Sequence, residues 1–539
     1  MNEAHTVSEI NEPVLTDSYG RYALKPEPAE WQTRDTVFAV ITFVCSVIFV
    51  SLSLFGGFAA GFTLSYIVLF ILTAVYISGS GARLKLFPLF CGAASLLISG
   101  VFALYNDPAV NFLLFAAVVC LYGVFVSQTY TKANAVLLPA AEILTAVPML
   151  NVCEPFRSYG KYSSDENRRG PDKNIIAGLA ISVPLLAVII PLLIRSDAAF
   201  EHMMGSLFSG FFETAVKIFI GTVLFVFLFS MLFSVKKQLI KTELEGSPAA
   251  GKFPVATAVT VLTVISVFYA AYLFSQLAYF FSAFSGFLPD NYSFTASEYA
   301  RRGFFELCAV AGINLCVIVF CVCTAKRDES GRVPLPVRLL SFLICLFSAV
   351  FAVTALSKMF LYINSFGLTR LRLMTSVFMA ALLLIFAGTA IYMFRQKFPV
   401  IKYAVTVLAC IAIASGYCDI DLTIARCNTE WYTSEKLSEI DVNHLGRLSD
   451  SAVPYIALLL DSKDKDVREQ AAETLYSRAE KLFVIEGNSI AGSKKSGLSE
   501  YNYSREKAKK IIEDRFDKII SLLPEPQDEE ETKYLTEYF

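Results

Sequence analysis

Long apolar runs constrain this chain more than any motif does. About eleven runs reach roughly 20 residues, the length at which a helix crosses the hydrocarbon core of a bilayer. Only 17% of the 539 residues are charged, whereas soluble domains carry about 25%. Because a spanning segment must satisfy its own backbone polar groups, we expect helices. The sequence predicts an all-α polytopic membrane protein with about 11 transmembrane helices, at residues 36–55, 58–78, 85–104, 109–127, 174–194, 213–233, 255–284, 304–323, 338–362, 372–394 and 399–417.

The loops between these runs alternate between basic and nearly uncharged segments. Lys and Arg accumulate in loops that remain in the cytoplasm. A cytoplasmic N-terminus puts most of them on that side, in segments 128–173, 236–252, 326–332 and 395–397. The opposite loops contain only Arg195, Arg301, Arg302 and Arg370. We therefore expect the N-terminus in the cytoplasm and the C-terminal tail outside it.

Composition divides the chain into five segments. Residues 1–35 are polar and acidic and are expected to form a disordered cytoplasmic tail. Residues 36–127 are expected to form a four-helix membrane segment, 128–173 a cytoplasmic or interfacial loop, and 174–417 a seven-helix membrane core. Within that loop, 135–150 is apolar but contains two prolines, which favours an interfacial or re-entrant piece over a span. Residues 418–539 are expected to form an extracytoplasmic helical tail with an acidic end.

Apolar residues recur every four positions in the tail, at Val467, Ala471, Leu475, Ala479 and Phe483. This step marks one face of a helix. With the Pro-containing segment before it, the pattern resembles a HEAT-like helical hairpin, and one such unit cannot bury its own face. We expect it to pack on neighbouring helices or on the membrane domain. A Gly/Ser/Lys loop at 487–498 is expected to precede a further helix near 503–522.

The best cluster of candidate functional residues lies in 297–315. Glu298, Arg302 and Glu306 are spaced by four, so a helix presents them on one face, and Asn314 lies two turns deeper. Polar groups at membrane depth usually face a cavity or a partner. The cluster is either a structural ion-pair ladder or a ligand or proton site in a polar outer vestibule.

A second cluster lies on the same predicted side. Lys358 is near the outer end of its span, where it either extends to the lipid headgroups or pairs with Glu306. Thr369 and Arg370 follow in a short outer loop. We expect these side chains to border the same vestibule if their helices are neighbours.

A third cluster stands where the chain leaves its last span. Asp419 and Asp421 could hold a divalent cation, but a helix cap or an ion pair is the favoured interpretation. Cys418 and Cys427 flank this exit and could form a disulfide on an oxidising side of the membrane. With three histidines in the chain and no nucleotide-binding loop, the sequence predicts no metal, no cofactor and no nucleic-acid partner.

Several stretches resemble, in this order, a bacterial family of multi-pass membrane proteins that is catalogued as a domain of unknown function. They are EYARRGFFEL, LYINSFGLTRLRL, IARCNTEWY followed by IDVNHLGRLSDSAVP, and EYNYSREKAKK. The resemblance covers roughly 174–539. It implies the same architecture and a bacterial cell (inner) membrane, and it supplies no reaction.

The many spans and the polar groups within them favour a transporter-like or permease-like protein, or a membrane component of an envelope or export system. A membrane sensor or scaffold that binds a protein partner through its helical tail is the main alternative. A membrane enzyme, such as a lipid-linked glycosyltransferase, is less favoured because the first outer loop is essentially Gly56-Gly57. We therefore expect the lipid bilayer as surroundings and do not expect catalysis.

Overall fold

The computed structural model describes residues 28–78, 85–130, 135–165, 211–237, 253–284, 304–494 and 497–523, with isolated positions between 182 and 196 and residue 239. These residues are mainly helical. The helices are α1 (Thr33–Ser53), α2 (Ala60–Ser78), α3 (Leu86–Leu104), α4 (Pro108–Tyr130), α5 (Leu137–Leu144), α6 (Ala146–Leu150), α7 (Glu154–Asp165), α8 (Phe211–Lys236), α9 (Val255–Phe284), α10 (Phe304–Thr324), α11 (Leu335–Phe366), α12 (Arg370–Phe394), α13 (Val400–Tyr417), α14 (Ile420–Thr433), α15 (Val442–Gly446), α16 (Val453–Leu458), α17 (Lys465–Leu482) and α18 (Tyr503–Ser521).

Nine of the described helices are long and apolar enough to cross a membrane, namely α1, α3, α4 and α8 to α13. Helix α2 is a shorter apolar helix. Together they account for ten of the predicted spans, and the run at 174–194 lies outside the described residues except for isolated positions. The predicted all-α polytopic membrane fold is confirmed.

The apolar segment after α4 is not one straight helix. The ranges Leu137–Leu150 and Glu154–Ser163 are together apolar enough for a span, but the chain bends by 52° between them. Pro148 falls within α6, next to this break. A bend of this size is compatible with the interfacial or re-entrant piece expected from the sequence.

The chain divides into two compact units, one of residues 1–44 and 146–240 and the other of residues 45–145 and 241–539. In the first unit, the start of α1 packs with α7 and α8. Asp35 is fully buried, and its carboxylate oxygens lie 2.8 Å from Lys236 Nζ and 3.1 Å from Lys237 Nζ. The ring of Trp31 lies 5.4 Å from those of Tyr159 and Phe233. A buried ion pair and an aromatic cluster thus tie together segments about 200 residues apart.

In the second unit, α2 to α4 and α9 to α13 form the membrane helices. A large buried apolar group lies among α9 to α12 and includes Leu262, Ile318, Ile344 and Phe386. Helices in lipid associate through close packing rather than the hydrophobic effect, so small residues at contacts matter. At Gly388 on α12, an added Cβ would fall 2.3 Å from the ring of Tyr403 on α13. Only glycine permits this approach of the two helices.

The tail of the second unit is a small helical layer with one β-hairpin. The predicted apolar stripe is confirmed, because Val467, Ala471, Leu475 and Ala479 are all buried on α17 and Phe483 is buried after it. Phe483 begins strand β1 (Phe483–Glu486), which pairs antiparallel with β2 (Ser489–Ser493). The expectation of a loop over 487–498 is therefore wrong for 489–493. The Gly487-Asn488 turn, with a positive φ at Gly487, joins the two strands.

Candidate functional site at the junction of bundle and tail

The tail is bonded to one end of the membrane helices of its own unit. We call the membrane helices of this unit the bundle. We call the region where the tail meets them the junction, and we define it by residues 105–107, 367–370, 418–419, 447–450 and 501–502 together with helix α14 and Arg478. Tyr501 accepts a backbone bond from Ala60 (3.1 Å), and the amide of Asn502 donates to the carbonyl of Phe102 (3.2 Å). The side chain of Asn428 pairs with both backbone groups of Leu368, at 2.7 and 2.8 Å. Hydrogen bonds thus connect α14 and the segment before α18 to three loops or helix ends of the bundle.

Arg370 is the central side chain of the junction. Its Nε donates to Asp421 Oδ1 at 2.6 Å, and its Nη2 donates to the other oxygen of the same carboxylate. Such bidentate pairs are among the strongest polar contacts in proteins. Asp421 is fully buried, and its Oδ2 also accepts from the backbone of Ser449 at 2.6 Å. One carboxylate therefore fixes α12, α14 and the turn before α16.

A second carboxylate faces the same guanidinium from the bundle. Asp107 Oδ1 lies 3.5 Å from Arg370 Nη2 and accepts from the backbone of Ala109 and Val110, which makes it the cap of α4. Its Oδ2 is buried with no hydrogen-bond partner among the described residues. Burial and the neighbouring charge of Asp421 raise the pKa of Asp107.

The polar residues that flank Arg370 and Asp421 begin helices. Asp419 accepts from the backbone of Leu422 and starts α14, and burial raises the pKa of this carboxyl. Thr369 starts α12 in the same way, with Arg372 as donor. Gly367 before it has a φ of 75°, and an added Cβ would lie 2.7 Å from the amide oxygen of Asn428. The local geometry of the junction thus depends on side chains that cap the helix N-termini and on one glycine.

A cavity of about 570 Å³ opens at the junction, between the start of α4 and the tail. Its basic lining residues come from the bundle, from the turn before α16, from α17, from the segment after β2 and from α18. Seven basic and two acidic side chains line it: Arg370, Arg447, Arg478, Lys481, Lys494, Arg505, Lys509, Asp450 and Glu500. A cavity of this charge is suited to an anion.

Other predicted site residues lie elsewhere. Asn314 is buried between three helices, where it accepts from the hydroxyl of Tyr269 (2.5 Å) and donates to that of Ser348 (2.8 Å). Glu306 is exposed at the start of α10, and Lys358 is half-buried on α11. Arg370, which was expected to border the same vestibule, pairs with Asp421 and Asp107. Glu298 and Arg302 lie outside the described residues.

Cys418 and Cys427 are free thiols, so the suggested disulfide is not formed. Cys418 caps the end of α13, while Cys427 lies seven residues into α14. A helix rises about 1.5 Å per residue, which puts roughly 10 Å between its first residue and the seventh after it. A disulfide needs Cα atoms within about 7 Å. Within the described residues, no group of three or more His, Cys, Asp or Glu is arranged to hold a metal ion.

Sequence reasoning missed several residues of the junction, notably Asp107, Asn428, Asp450, Arg478 and Asn502. One signal was available, because three of the four motifs that carry the family resemblance contribute here. LYINSFGLTRLRL contains Arg370, the third motif contains Asn428 and Asp450, and EYNYSREKAKK contains Asn502. Asp107 gave a weaker signal, as an Asp-Pro pair at the start of a span.

The helices and their length define the class of this molecule, an all-α protein of many membrane-spanning helices. Its sequence matches the family described as "Domain of unknown function (DUF4153)" over residues 92–459, more than half of the chain. The protein belongs to that family. The match starts earlier than the resemblance suggested, in α3, and ends within the tail before α17. Comparison with curated proteins and with solved structures gives no match.

Proposed function

We propose that this protein is a membrane-embedded receptor, a sensor or scaffold whose tail and bundle together bind an anionic ligand. The observation that carries the proposal is the cavity at the junction with its excess of basic side chains. Its volume of about 570 Å³ falls within the range of about 300–1,000 Å³ typical of small-molecule sites.

The contacts of the polar groups in the second unit support binding over transport. Asn314, a polar group that motivated the transport hypothesis, uses its amide to link α9, α10 and α11. Arg370 is committed to two carboxylates. Polar groups engaged in this way stabilise a fixed arrangement of helices. The tail, through Asp421, Asn428 and Asn502, is part of the same arrangement.

Thermal unfolding of the full chain in phosphatidylcholine nanodiscs tests this proposal. A panel of sulfate, citrate and pyrophosphate is added at low ionic strength, where surface charges are least screened. At least one anion should raise the unfolding temperature, since a ligand at a hundred times its Kd stabilises by about 2.7 kcal/mol. The doubly substituted Lys481→Gln, Lys494→Gln protein should lose most of this gain.

Lys510→Gln is the matched control, because Lys510 is exposed on α18 and does not line the cavity. It removes one positive charge beside Lys509 and should respond to anions like the wild type. If no anion stabilises the wild type more than it stabilises the double variant, the receptor proposal is wrong.

A further inference from the structure

The basic side chains of the cavity fall into two groups. Arg370 and Lys509 form ion pairs with carboxylates outside the lining, and Arg478 and Arg505 pair with Asp450, which lines the cavity. Arg447, Lys481 and Lys494 have no carboxylate partner within the described part of the chain. The carboxylates of Asp107, Asp421 and Glu506 pair with lining cations from outside the lining. Together with the two acidic lining residues they make five negative charges, so the seven positive charges of the lining exceed them by two.

Asp450 occupies the inner part of the cavity. Its two oxygens lie 3.2 Å from Arg478 Nη1 and 3.4 Å from Arg505 Nε, so two arginines from different helices converge on one carboxylate. Both distances exceed those of close charge-assisted hydrogen bonds, about 2.7–2.9 Å. Asp450 is therefore a loosely held counter-ion.

Arg478 stays in position without Asp450. Its Nη2 donates to the carbonyls of Gly446 (2.9 Å) and Leu448 (2.7 Å). Its side chain is only 12% exposed. Because the backbone holds the guanidinium plane, an incoming anion meets a donor that is already oriented and loses little side-chain entropy.

Two helix N-termini face the same space. Pro108 and Ala109, the first residues of α4, line the cavity, and so does Arg370, the first residue of α12. The N-terminal end of a helix carries partial positive charge. These ends add to the potential created by the lysines and arginines, and they border the part of the cavity that is closest to the membrane helices.

We propose that the cavity binds a phosphate-bearing anion, with Arg447, Lys481 and Lys494 as its outer contacts and Arg478 and Arg505 as its inner contacts, in competition with Asp450. This inference rests on the proposed receptor function and names its ligand class. A simple carboxylate offers no more than Asp450 already supplies. A phosphate carries up to two negative charges, which match the excess of two positive charges in the cavity. Its three acceptor oxygens can bind donors that come from several elements at once.

Such a phosphate comes either from a lipid headgroup or from a soluble compound. The first arm of the test titrates inorganic pyrophosphate into the full chain in phosphatidylcholine nanodiscs, with citrate at equal ionic strength as the comparison, and measures binding by calorimetry. The second arm adds phosphatidic acid to the nanodiscs and measures its retention on the purified chain by native mass spectrometry. Binding in the first arm indicates a soluble ligand, and binding in the second alone indicates a lipid.

Substitutions distinguish this site from general attraction to a basic surface. The Lys481→Gln, Lys494→Gln protein should bind about tenfold more weakly or worse, and Arg505→Gln should also weaken binding. Asp450→Asn should tighten binding several-fold, because it removes the competing charge but keeps a side chain of the same size. Lys510→Gln should bind like the wild type. The unfolding temperature of each variant shows whether it is folded.

The possible failures have different meanings. Citrate that binds as tightly as pyrophosphate would overturn the phosphate assignment while the receptor proposal stands. Weaker binding by a folded Asp450→Asn protein would overturn the competition between Asp450 and the ligand. If Asp450→Asn does not fold, Arg505→Gln and the lysine variant still decide the site. Absence of anion binding in both arms overturns both proposals.

Discussion

Arg370 connects the bundle to the tail at the junction. It contacts one carboxylate from the bundle and one from the tail, yet the two contacts differ in kind. The pair with Asp421 is bidentate and fully buried on the carboxylate side, whereas Asp107 approaches only one nitrogen at 3.5 Å. The pKa of Asp107 is raised by burial and by Asp421. Folding therefore disfavours the charged form of Asp107, which predicts different outcomes for substitution of the two aspartates.

Asp421→Asn should lower the free energy of unfolding by about 3 kcal/mol, because it leaves Arg370 without its main counter-charge. Asp107→Asn should change it by less than about 1 kcal/mol at neutral pH, since asparagine caps a helix as well as aspartate. Thermal unfolding of the full chain measures both. A larger loss from Asp107→Asn than from Asp421→Asn would contradict this ranking.

The raised pKa of Asp107 also predicts how the stability of the protein depends on pH. A carboxyl whose folded-state pKa is raised binds its proton more tightly in the native state, so its contribution to stability is present at low pH and is lost as pH rises through the folded pKa. Asp107→Asn lacks this contribution. The stability of the wild type relative to this variant should therefore increase as pH falls from neutral through the raised pKa of Asp107 toward the ordinary pKa of an aspartate.

Helix α17 shows what a periodic pattern in a sequence does and does not reveal. Each residue of its buried stripe was predictable, because apolar residues spaced by four lie on one face of a helix. Arg478 on the same helix was not predictable as a cavity residue, since its three acceptors, in Gly446, Leu448 and Asp450, come from a turn about 30 residues earlier. Spans follow from composition alone. Pairings across loops depend on which helices become neighbours, and the hairpin after α17 depended on one glycine turn.

The stripe of α17 gives the prediction at this scale. Leu475 is 1% exposed, so Leu475→Ala should cost about 2–5 kcal/mol through lost contacts and a residual cavity. Leu458→Ala on α16 is the matched control, because Leu458 is 51% exposed and should change stability by less than about 0.5 kcal/mol. Protease sensitivity of the tail and its urea unfolding measure the effect. Equal behaviour of the two variants would mean that α17 does not form part of a packed core.

Across the second unit as a whole, the two ends of the membrane helices differ in charge. Helix α11 runs toward the junction and α12 runs back, so the basic segments 326–332 and 395–397 lie at the end away from the tail. The loop between these helices contains no lysine or arginine before Arg370, which is engaged with carboxylates. By the positive-inside rule, we expect the end with these basic segments to face the cytoplasm.

A reporter enzyme that is active only outside the cytoplasm tests this orientation. Fused after residue 539 it should be active, and inserted into the loop 128–173 it should be inactive, because the charge bias puts these positions on opposite sides. The reverse pattern would mean that the protein has the opposite orientation in the membrane, with the cavity exposed to cytoplasmic anions. The HEAT-like relationship of the tail stays a prediction in either orientation.

The hydrogen bond between Asn502 and Phe102 joins residues 400 positions apart. A ribosome that adds about 5–20 residues per second needs roughly 20–80 s to make the chain between them. During that interval α2 to α4 are already synthesised, while the carbonyl of Phe102 and the carboxylate of Asp107 lack the partners that later segments supply. The junction therefore cannot close before residue 502 is made, and its closure distinguishes a chain translated past that residue from an interrupted one whose membrane helices are already inserted.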